Sequence, residues 1–189
     1  YYGELDVEHL GLIEVAQLDT YAGFVFATWD PEAPTLEDWL GDARYYMDVL
    51  WNRRDGGIQM YGPDKWILPT NWKMPVDNFA GDGYHFNLTH RSSLIAQAKA
   101  SRRSAQINLF QENGGHNVDV GNGHGVITNW AETEEQERRQ ARHPRLLEYE
   151  NEIMPELERR LGSRARKMTQ LIGSVFPNLS VHQSTSIRV

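Results

Sequence analysis

The sequence contains no cysteine among its 189 residues. This absence excludes disulfides, thiolate metal sites, iron–sulfur ligation and cysteine nucleophiles from this segment, and it fits a reducing cytoplasm. No apolar run approaches the roughly 18 residues of a membrane span, and the start "YYGELDVEH" lacks the basic region and apolar core of a signal peptide. The net charge of −7 disfavours a nucleic-acid partner, because binding to phosphates requires a basic surface.

Length and composition fit one globular domain, with 40% hydrophobic and 24% charged residues. Alternating or β-branched residues predict strands, and they cover 12–18, 23–29, 65–76 (interrupted by Pro69 and Pro75), 126–130 and the segment from 173. Helices are predicted over 36–50, 77–100 and 134–171. Thr35 and Asp38 form a predicted capping box for the first helix, and the third is predicted to break near Pro144 and Pro155. Residues 101–124 are predicted as a loop. The pattern predicts an α+β fold, with helices packed to one side of a sheet.

The stretch "GDGYHFNLTH" holds His85 and His90, with Asp82 three residues before the first histidine. On a helix, Asn78, Asp82 and His85 fall at i, i+4 and i+7 and share one face. The two histidines are five positions apart in the sequence, which places them about 140° apart on an ideal helix. Both can therefore face one ion only if the helix ends or distorts between them. The intervening Asn and Thr residues are poor helix formers and permit such a break.

Two neutral imidazoles suit iron, zinc or copper, and with one carboxylate they form the facial triad of non-haem Fe(II) oxygenases. A carboxylate beside a ligating histidine also serves to accept the other ring N–H. The alternative is a pair of ordinary histidines, because seven are scattered through the chain and this spacing arises easily by chance. The spacing alone leaves both interpretations open.

The residues around the histidines are more specific than their spacing. The segment "NWKMPVDNFAGDGYHFNLTHRSSL" resembles the mononuclear-iron segment of the α subunits of Rieske-type aromatic ring-hydroxylating dioxygenases. That pattern is N-W-K, an acidic residue before N-F, then D-x-Y-H, four residues and H. The matching residues are Asn71, Trp72, Lys73, Asp77, Asn78, Phe79, Asp82, Tyr84, His85 and His90. Asp77 occupies the acidic position at which Glu is commoner in the family, which is a conservative difference. Segments 15–50, 121–126 and 175–180 are similar too, so nearly the whole chain is covered.

The resemblance implies a helix-grip catalytic domain, in which an antiparallel sheet wraps around a long helix. It implies His85 and His90 as two iron ligands, Asp82 as the bridge for electrons from a neighbouring subunit's Rieske cluster, and Asn78 as a residue near the iron. The implied substrate pocket comprises Phe79, Phe86, Leu94, Gly125, Ile127, Gln170, Ile172 and His182. Core packing is an equal alternative for Leu94, Ile127 and Ile172. A solvent-facing position is an equal alternative for Gln170 and His182, which in an apolar pocket would orient a polar group of the substrate.

The resemblance also implies parts that residues 1–189 do not supply. A Rieske cluster requires two cysteines and two histidines, so a Rieske domain is expected upstream. The third iron ligand, a carboxylate, is expected downstream. We therefore expect this segment to be a partial catalytic domain that holds iron poorly by itself, since two ligands do not fix a facial site.

The implied activity is addition of both atoms of O₂ to an aromatic ring, which gives a cis-dihydrodiol in the catabolism of aromatic hydrocarbons. The implied cofactors are mononuclear Fe(II) and a [2Fe–2S] Rieske cluster, with electrons from NAD(P)H through a reductase or ferredoxin. The implied assembly is α3 or α3β3, with a small β subunit, in the bacterial cytoplasm, without nucleic-acid or membrane partners.

Two alternative functions stay open. One is a Rieske monooxygenase or demethylase with the same iron site. The other is a helix-grip domain that only binds an apolar ligand, which would not require the D-x-Y-H pattern beside a second histidine. The lining suggests a flat apolar ring as ligand, whereas Gln170 and His182 leave an aromatic acid or a heterocycle open.

Overall fold

The structure is a computed structural model, and it describes residues 3–59, 67–100, 115–130 and 144–182. The chain divides into two compact units, Tyr1–Trp39 and Leu40–Val189. In the described part of the chain, no helix is both long enough and apolar enough to cross a membrane. The elements, in chain order, are β1 (Gln17–Tyr21), β2 (Phe24–Thr28), α1 (Leu36–Leu40), α2 (Ala43–Trp51), α3 (Lys73–Ala80), a 3₁₀ turn (Gly83–His85), α4 (Phe86–Thr89), α5 (Arg91–Ala100), β3 (Gly115–Gly121), β4 (His124–Trp130), α6 (Pro144–Leu161), α7 (Ser163–Lys167), β5 (Met168–Val175) and β6 (Leu179–His182).

The first unit contains an antiparallel hairpin of β1 and β2. Its turn is Ala22–Gly23, with φ values of 50° and 83°, and a two-residue turn with both φ values positive matches the twist of the paired strands. The predicted strand at 12–18 is therefore wrong over 12–16, and the strand instead continues through "DTY" to the turn.

The predicted capping of α1 is confirmed, because the Asp38 amide donates to Thr35 Oγ1 at 3.1 Å. The predicted helix 36–50 is divided into α1 and α2 at Gly41, whose φ is 46°.

The second unit is built on a four-stranded antiparallel sheet in the order β3-β4-β5-β6. Because side chains alternate across a strand, the sheet has two faces with different environments. Val126, Leu171 and Val175 are buried on one face, which we call the core face. Residues of α2, including Met47 and Leu50, line the same small cavity as Val126 and Val175, so α2 packs against the core face.

The opposite face, which we call the site face, carries a row of residues in register across all four strands. Asn117 pairs with Ile127, Ile127 with Ile172, and Ile172 with His182. Helix α3 packs against this face, because a Cβ added at Gly125 would lie 2.8 Å from the Ala80 Cβ. The sheet thus separates the packed core from the surface on which α3 ends.

Helix α6 is amphipathic and completes the core. Ile153 and Leu157 on its inner side are almost fully buried. The described helix begins at Pro144, near the predicted break, and proline suits the first helical position. The predicted helical residues 134–143 lie outside the described residues, and the predicted helix is wrong over 168–171, where β5 begins. Helix α6 does not break at Pro155, so that prediction is wrong. The two buried residues on either side of Pro155 hold the helix in place despite the lost hydrogen bond.

Two other predictions of local structure are wrong. The predicted strand 65–76 is wrong over its described residues, because a helix begins at Lys73, while 65 and 66 lie outside the described residues. The Asn71 side chain accepts a hydrogen bond from the Lys73 amide at 2.9 Å. Pro75 lies in the first turn of the helix, in which no proline N–H is needed. Residues 115–121, predicted as loop, form β3, while 101–114 lie outside the described residues. The strands at 126–130 and after 173 are confirmed, each with an earlier start. The α+β class is confirmed.

Replacing Gly125 with alanine is expected to destabilise the fold by about 1–3 kcal/mol, because the added Cβ would lie 2.8 Å from the Ala80 Cβ, which is fixed to the helix backbone and cannot rotate away. Urea unfolding of the variant and the wild type would measure the difference. Gly11→Ala is the matched control, since a Cβ at Gly11 meets nothing within 4 Å, and its effect should stay within about 0.5 kcal/mol. Equal unfolding midpoints for the two variants would contradict the close packing of α3 on the sheet.

Candidate metal centre

The helical region around the histidines is broken in the way that a shared site requires. Helix α3 ends at Ala80, and the amides of Gly81 and Asp82 both donate to the Asp77 carbonyl oxygen, at 2.9 and 3.2 Å. A 3₁₀ turn that ends at His85 follows, and His90 lies between α4 and α5. The predicted distortion between the two histidines is therefore confirmed.

This break brings the two imidazole rings together. His85 Nε2 lies 3.2 Å from His90 Nε2, and the ring centroids are 5.1 Å apart with an interplanar angle of 60°. Asn78 Nδ2, from the last turn of α3, lies 3.4 Å from the same nitrogen of His85. Three side chains, from α3, the 3₁₀ turn and the residue between α4 and α5, thus converge on one point near His85 Nε2.

The surroundings of His85 determine which ring nitrogen carries the proton. Nδ1 is hydrogen-bonded to the carbonyl oxygen of Asp82. The Asp82 Oδ2 atom is 3.4 Å from the same nitrogen, and Oδ1 accepts from the His85 amide at 3.3 Å. Because both neighbours of Nδ1 are oxygen acceptors, the neutral imidazole of His85 carries its hydrogen on Nδ1 and its lone pair on Nε2. A histidine that ligates a metal through Nε2 has this arrangement.

The separation of the two nitrogens fits two ligands of one ion. Nitrogens that each lie about 2.1 Å from an ion, at roughly a right angle, are about 3 Å apart. A hydrogen bond from His90 to His85 would give a similar distance between the nitrogens. Metal binding, and not this distance, therefore distinguishes two ligands of one ion from two hydrogen-bonded rings. Within the described ranges, no group of three or more His, Asp or Glu side chains is placed to hold a metal. The residues present therefore fit part of an iron site, and the roles of His85 and His90 as ligands stay predictions.

The residues predicted for the substrate pocket fall into two groups. Gly125, Ile127, Ile172 and His182 share the site face, and Phe79 lies half-buried on α3. Gln170 pairs with Asn129 in β5 and β4, Phe86 begins α4, and Leu94 lies in α5, but the side chains of Phe86, Leu94 and Gln170 are outside the described residues. The pocket positions thus stay predictions, although the strand register brings several of them to one surface.

Asn117 is a residue of this region that the sequence patterns missed. Its Nδ2 donates to the Gly81 carbonyl oxygen at 2.8 Å, which joins β3 to the turn that carries Asp82. The glycine- and asparagine-rich segment around it predicted a loop. The alternation of polar residues with valine in "NVDV" is the signal that would have indicated a strand with Asn117 on one face.

Comparison with known sequences gives consistent matches. A family model described as "Ring hydroxylating alpha subunit (catalytic domain)" matches residues 36–187. The large oxygenase component of a naphthalene 1,2-dioxygenase system from Pseudomonas aeruginosa is 40% identical over 131 residues, which are 67% of this chain and 29% of that protein. The biphenyl dioxygenase α subunit from Paraburkholderia xenovorans is 33% identical over 172 residues, which are 87% of this chain and 37% of that protein.

Comparison with solved structures agrees. The fold is similar to naphthalene 1,2-dioxygenase with indole bound in the active site, with a TM-score of 0.72 and 31% identity, covering 96% of this chain and 41% of that chain. This match supports the α+β helix-grip class of the catalytic domain. Since the family model covers most of its length, the chain belongs to the family of ring-hydroxylating α subunits, within their catalytic domain.

Proposed function

We propose that this chain forms part of the terminal oxygenase of a ring-hydroxylating dioxygenase, which adds both atoms of O₂ to an aromatic ring and yields a cis-dihydrodiol. The observation that carries the proposal is the pair of histidine Nε2 atoms 3.2 Å apart beside Asp82. Family membership supports it, as do relatives named as naphthalene and biphenyl dioxygenase subunits. The chain spans 29–37% of the length of those two relatives, so the activity of the whole protein is a proposal.

The family in general uses a non-haem iron and a Rieske cluster. In this chain His85 and His90 would hold the mononuclear iron through Nε2. When bound, the iron supplies the redox chemistry that activates O₂. The contribution of the protein is to hold the proton on His85 Nδ1 through Asp82, so that the lone pair of Nε2 stays available. Asn78 Nδ2, 3.4 Å from the same nitrogen, lies close enough to contact what occupies the site.

Asp82 would have a second role at the boundary with a neighbouring subunit. Its side chain is 24% exposed, so the carboxylate that contacts His85 can also be reached from outside the chain. A carboxylate can accept hydrogen bonds from two histidines at once, since it has two oxygens with two lone pairs each. Asp82 would thus connect His85 to a histidine of a neighbour's Rieske cluster, and electrons from NAD(P)H would arrive there through a reductase or ferredoxin.

The site face supports an aromatic substrate with two or more rings. Ile127 and Ile172 form the apolar middle of the row, and Asn117 and His182 supply a polar group at each end. Two adjacent apolar side chains with polar groups at their ends suit the face of a flat ring system. The names of the relatives, and the indole bound in the similar solved structure, point to ligands of that size. An assembly of α3 or α3β3 type, in the bacterial cytoplasm, completes the proposal.

The test is one turnover of the reduced full-length protein with naphthalene under ¹⁸O₂. We expect a cis-dihydrodiol in which both hydroxyl oxygens carry the label, because a dioxygenase transfers both atoms of one O₂ molecule. A product with one labelled oxygen would instead identify a monooxygenase with the same site. Naphthalene binding without product, in a protein that takes up no Fe(II), would identify the non-catalytic ligand-binding domain.

A further inference from the structure

We infer that Asn117 is a positioning residue for the metal centre, which holds the Gly81–Gly83 turn so that Asp82 and His85 face His90. This inference rests on the proposed function. Asn117 lies in β3, 32 residues beyond His85 in the sequence, and contacts neither histidine in any interaction described above. It would act through the backbone of the turn.

The first observation is the hydrogen bond from Asn117 to the turn. Asn117 Nδ2 donates to the Gly81 carbonyl oxygen at 2.8 Å. The Gly81 amide donates to the Asp77 carbonyl oxygen at 2.9 Å. Gly81 is therefore held on one side by its own helix and on the other by the sheet. The residue that follows it is Asp82, whose carbonyl and carboxylate oxygens both face His85 Nδ1.

The second observation is the close approach of Asn117 to Gly83. A Cβ at Gly83 would lie 2.9 Å from Asn117 Oδ1 and 3.5 Å from Ile127 Cγ2. The φ of Gly83 is outside the left-handed range, so backbone conformation does not require a glycine here. A Cβ at this position would instead displace the side chain of Asn117. The amide group of Asn117 thus bonds to the turn before Asp82 and occupies the space beside the residue after it.

The location of Asn117 in the sheet makes this contact relevant to the substrate. Asn117 begins the row that continues through Ile127 and Ile172 to His182 on the site face. The same asparagine therefore fixes the metal-binding turn relative to the surface proposed to hold the aromatic ring. A displacement of about 1 Å between reacting groups is enough to lower a rate by about 100-fold.

The test compares Asn117→Ala and Asn117→Asp in the full-length protein. The aspartate has the same shape but no N–H donor, so both variants lose the bond to Gly81. We expect Fe(II) affinity, measured by anaerobic titration, to fall about 10- to 100-fold in both variants, as for other residues that orient a ligand. The visible spectrum of the Co(II)-substituted protein should change as well, because it reports the ligand geometry and not the stability of the fold.

Asp119→Ala is the matched control. Asp119 lies on the same strand and the same side, is also exposed, and also makes one hydrogen bond to backbone, from Gly121 at 3.0 Å. Its partner belongs to its own hairpin, so Fe(II) affinity should match the wild type. Gly83→Ala provides a second variant, because the new Cβ displaces the Asn117 amide. The double variant Gly83→Ala with Asn117→Ala should lose no more Fe(II) affinity than Asn117→Ala alone, since both changes remove the same contact.

Wild-type Fe(II) affinity and an unchanged Co(II) spectrum in Asn117→Ala would overturn the inference. An equal loss in Asp119→Ala would overturn it too, because the effect would then be a general one on β3. Failure of the wild-type protein itself to bind Fe(II) would count against the proposed function. In that case hydrogen exchange at the amides of 82–85 decides the role of Asn117, since exchange should be faster in Asn117→Ala than in Asp119→Ala.

Discussion

Replacing His85 with alanine is expected to remove the mononuclear iron from the full-length protein, with a loss of Fe(II) affinity greater than about 100-fold. Loss of a residue that only orients a ligand costs about 10- to 100-fold, and loss of the ligand itself costs more. The iron content should fall from about three atoms per polypeptide to about two, since a [2Fe–2S] cluster accounts for two of them. Iron analysis together with the cluster's visible spectrum would measure both quantities.

Three further variants make this result specific. His90→Ala should have the same effect as His85→Ala, because its Nε2 lies 3.2 Å from that of His85. His9→Ala should change neither iron content nor turnover, since His9 is an exposed residue in the first unit whose partner is Asp6. Asp82→Ala should keep most of its iron under excess Fe(II) but stop turning over. Full iron content in His85→Ala would show that the two rings are joined by a hydrogen bond and not by a metal.

Replacing Glu150 with alanine is expected to destabilise the second unit by about 3–5 kcal/mol. The guanidinium of Arg53, a residue 4% exposed, makes two parallel hydrogen bonds to the Glu150 carboxylate, one of them 2.8 Å long. Among the described residues, Arg53 Nε has no hydrogen-bond partner, so its charge is balanced chiefly by Glu150. Removing the carboxylate leaves a buried, uncompensated cation. The melting temperature should fall by about 6–20 °C in a thermal unfolding experiment.

A neighbouring ion pair provides the control for this experiment. Arg54 is one residue beyond Arg53 and Glu152 is two residues beyond Glu150. Their charged groups are 3.9 Å apart, and the side chains are 42% and 69% exposed. An exposed pair contributes about 0–1 kcal/mol, so Glu152→Ala should barely change the melting temperature. The double replacement Arg53→Met with Glu150→Leu should recover most of the stability, because it removes both charges. A shift in Glu150→Ala no larger than that in Glu152→Ala would contradict the role assigned to burial.

The break between the two histidines could be predicted from the sequence because it follows from helix geometry alone. Residues five apart lie on different sides of a regular helix, and a shared site therefore requires an irregular one. The ends of α3 and α4 at Ala80 and Thr89 agree with that requirement. Capping of α1 by Thr35 was predictable for the same reason, since its partner lies three residues away.

Other features depend on contacts between distant residues and could not be predicted from local patterns. Pro75 suggested an interrupted strand, but a proline in the first turn of a helix is equally compatible with its fixed φ. The strand β3 was missed because its glycines and asparagines are typical of loops, and pairing with β4 decides its conformation. Asn117 was missed because its partner Gly81 lies 36 residues earlier. The row from Ile127 to His182 was expected only through the resemblance to a family.

The two faces of the four-stranded sheet also determine how this protein can be altered without loss of its fold. Adjacent residues of β4 and β5 face either α2 or the turn that carries His85. Substitutions on the core face should therefore change the stability of the fold, and substitutions on the site face should change the specificity of the proposed pocket. A library that varies Ile127, Ile172 and His182 while it leaves Val126 and Leu171 unchanged would sample new shapes of the proposed pocket on an intact core. Because side chains alternate across each strand, single substitutions at these positions should change the proposed pocket one strand at a time.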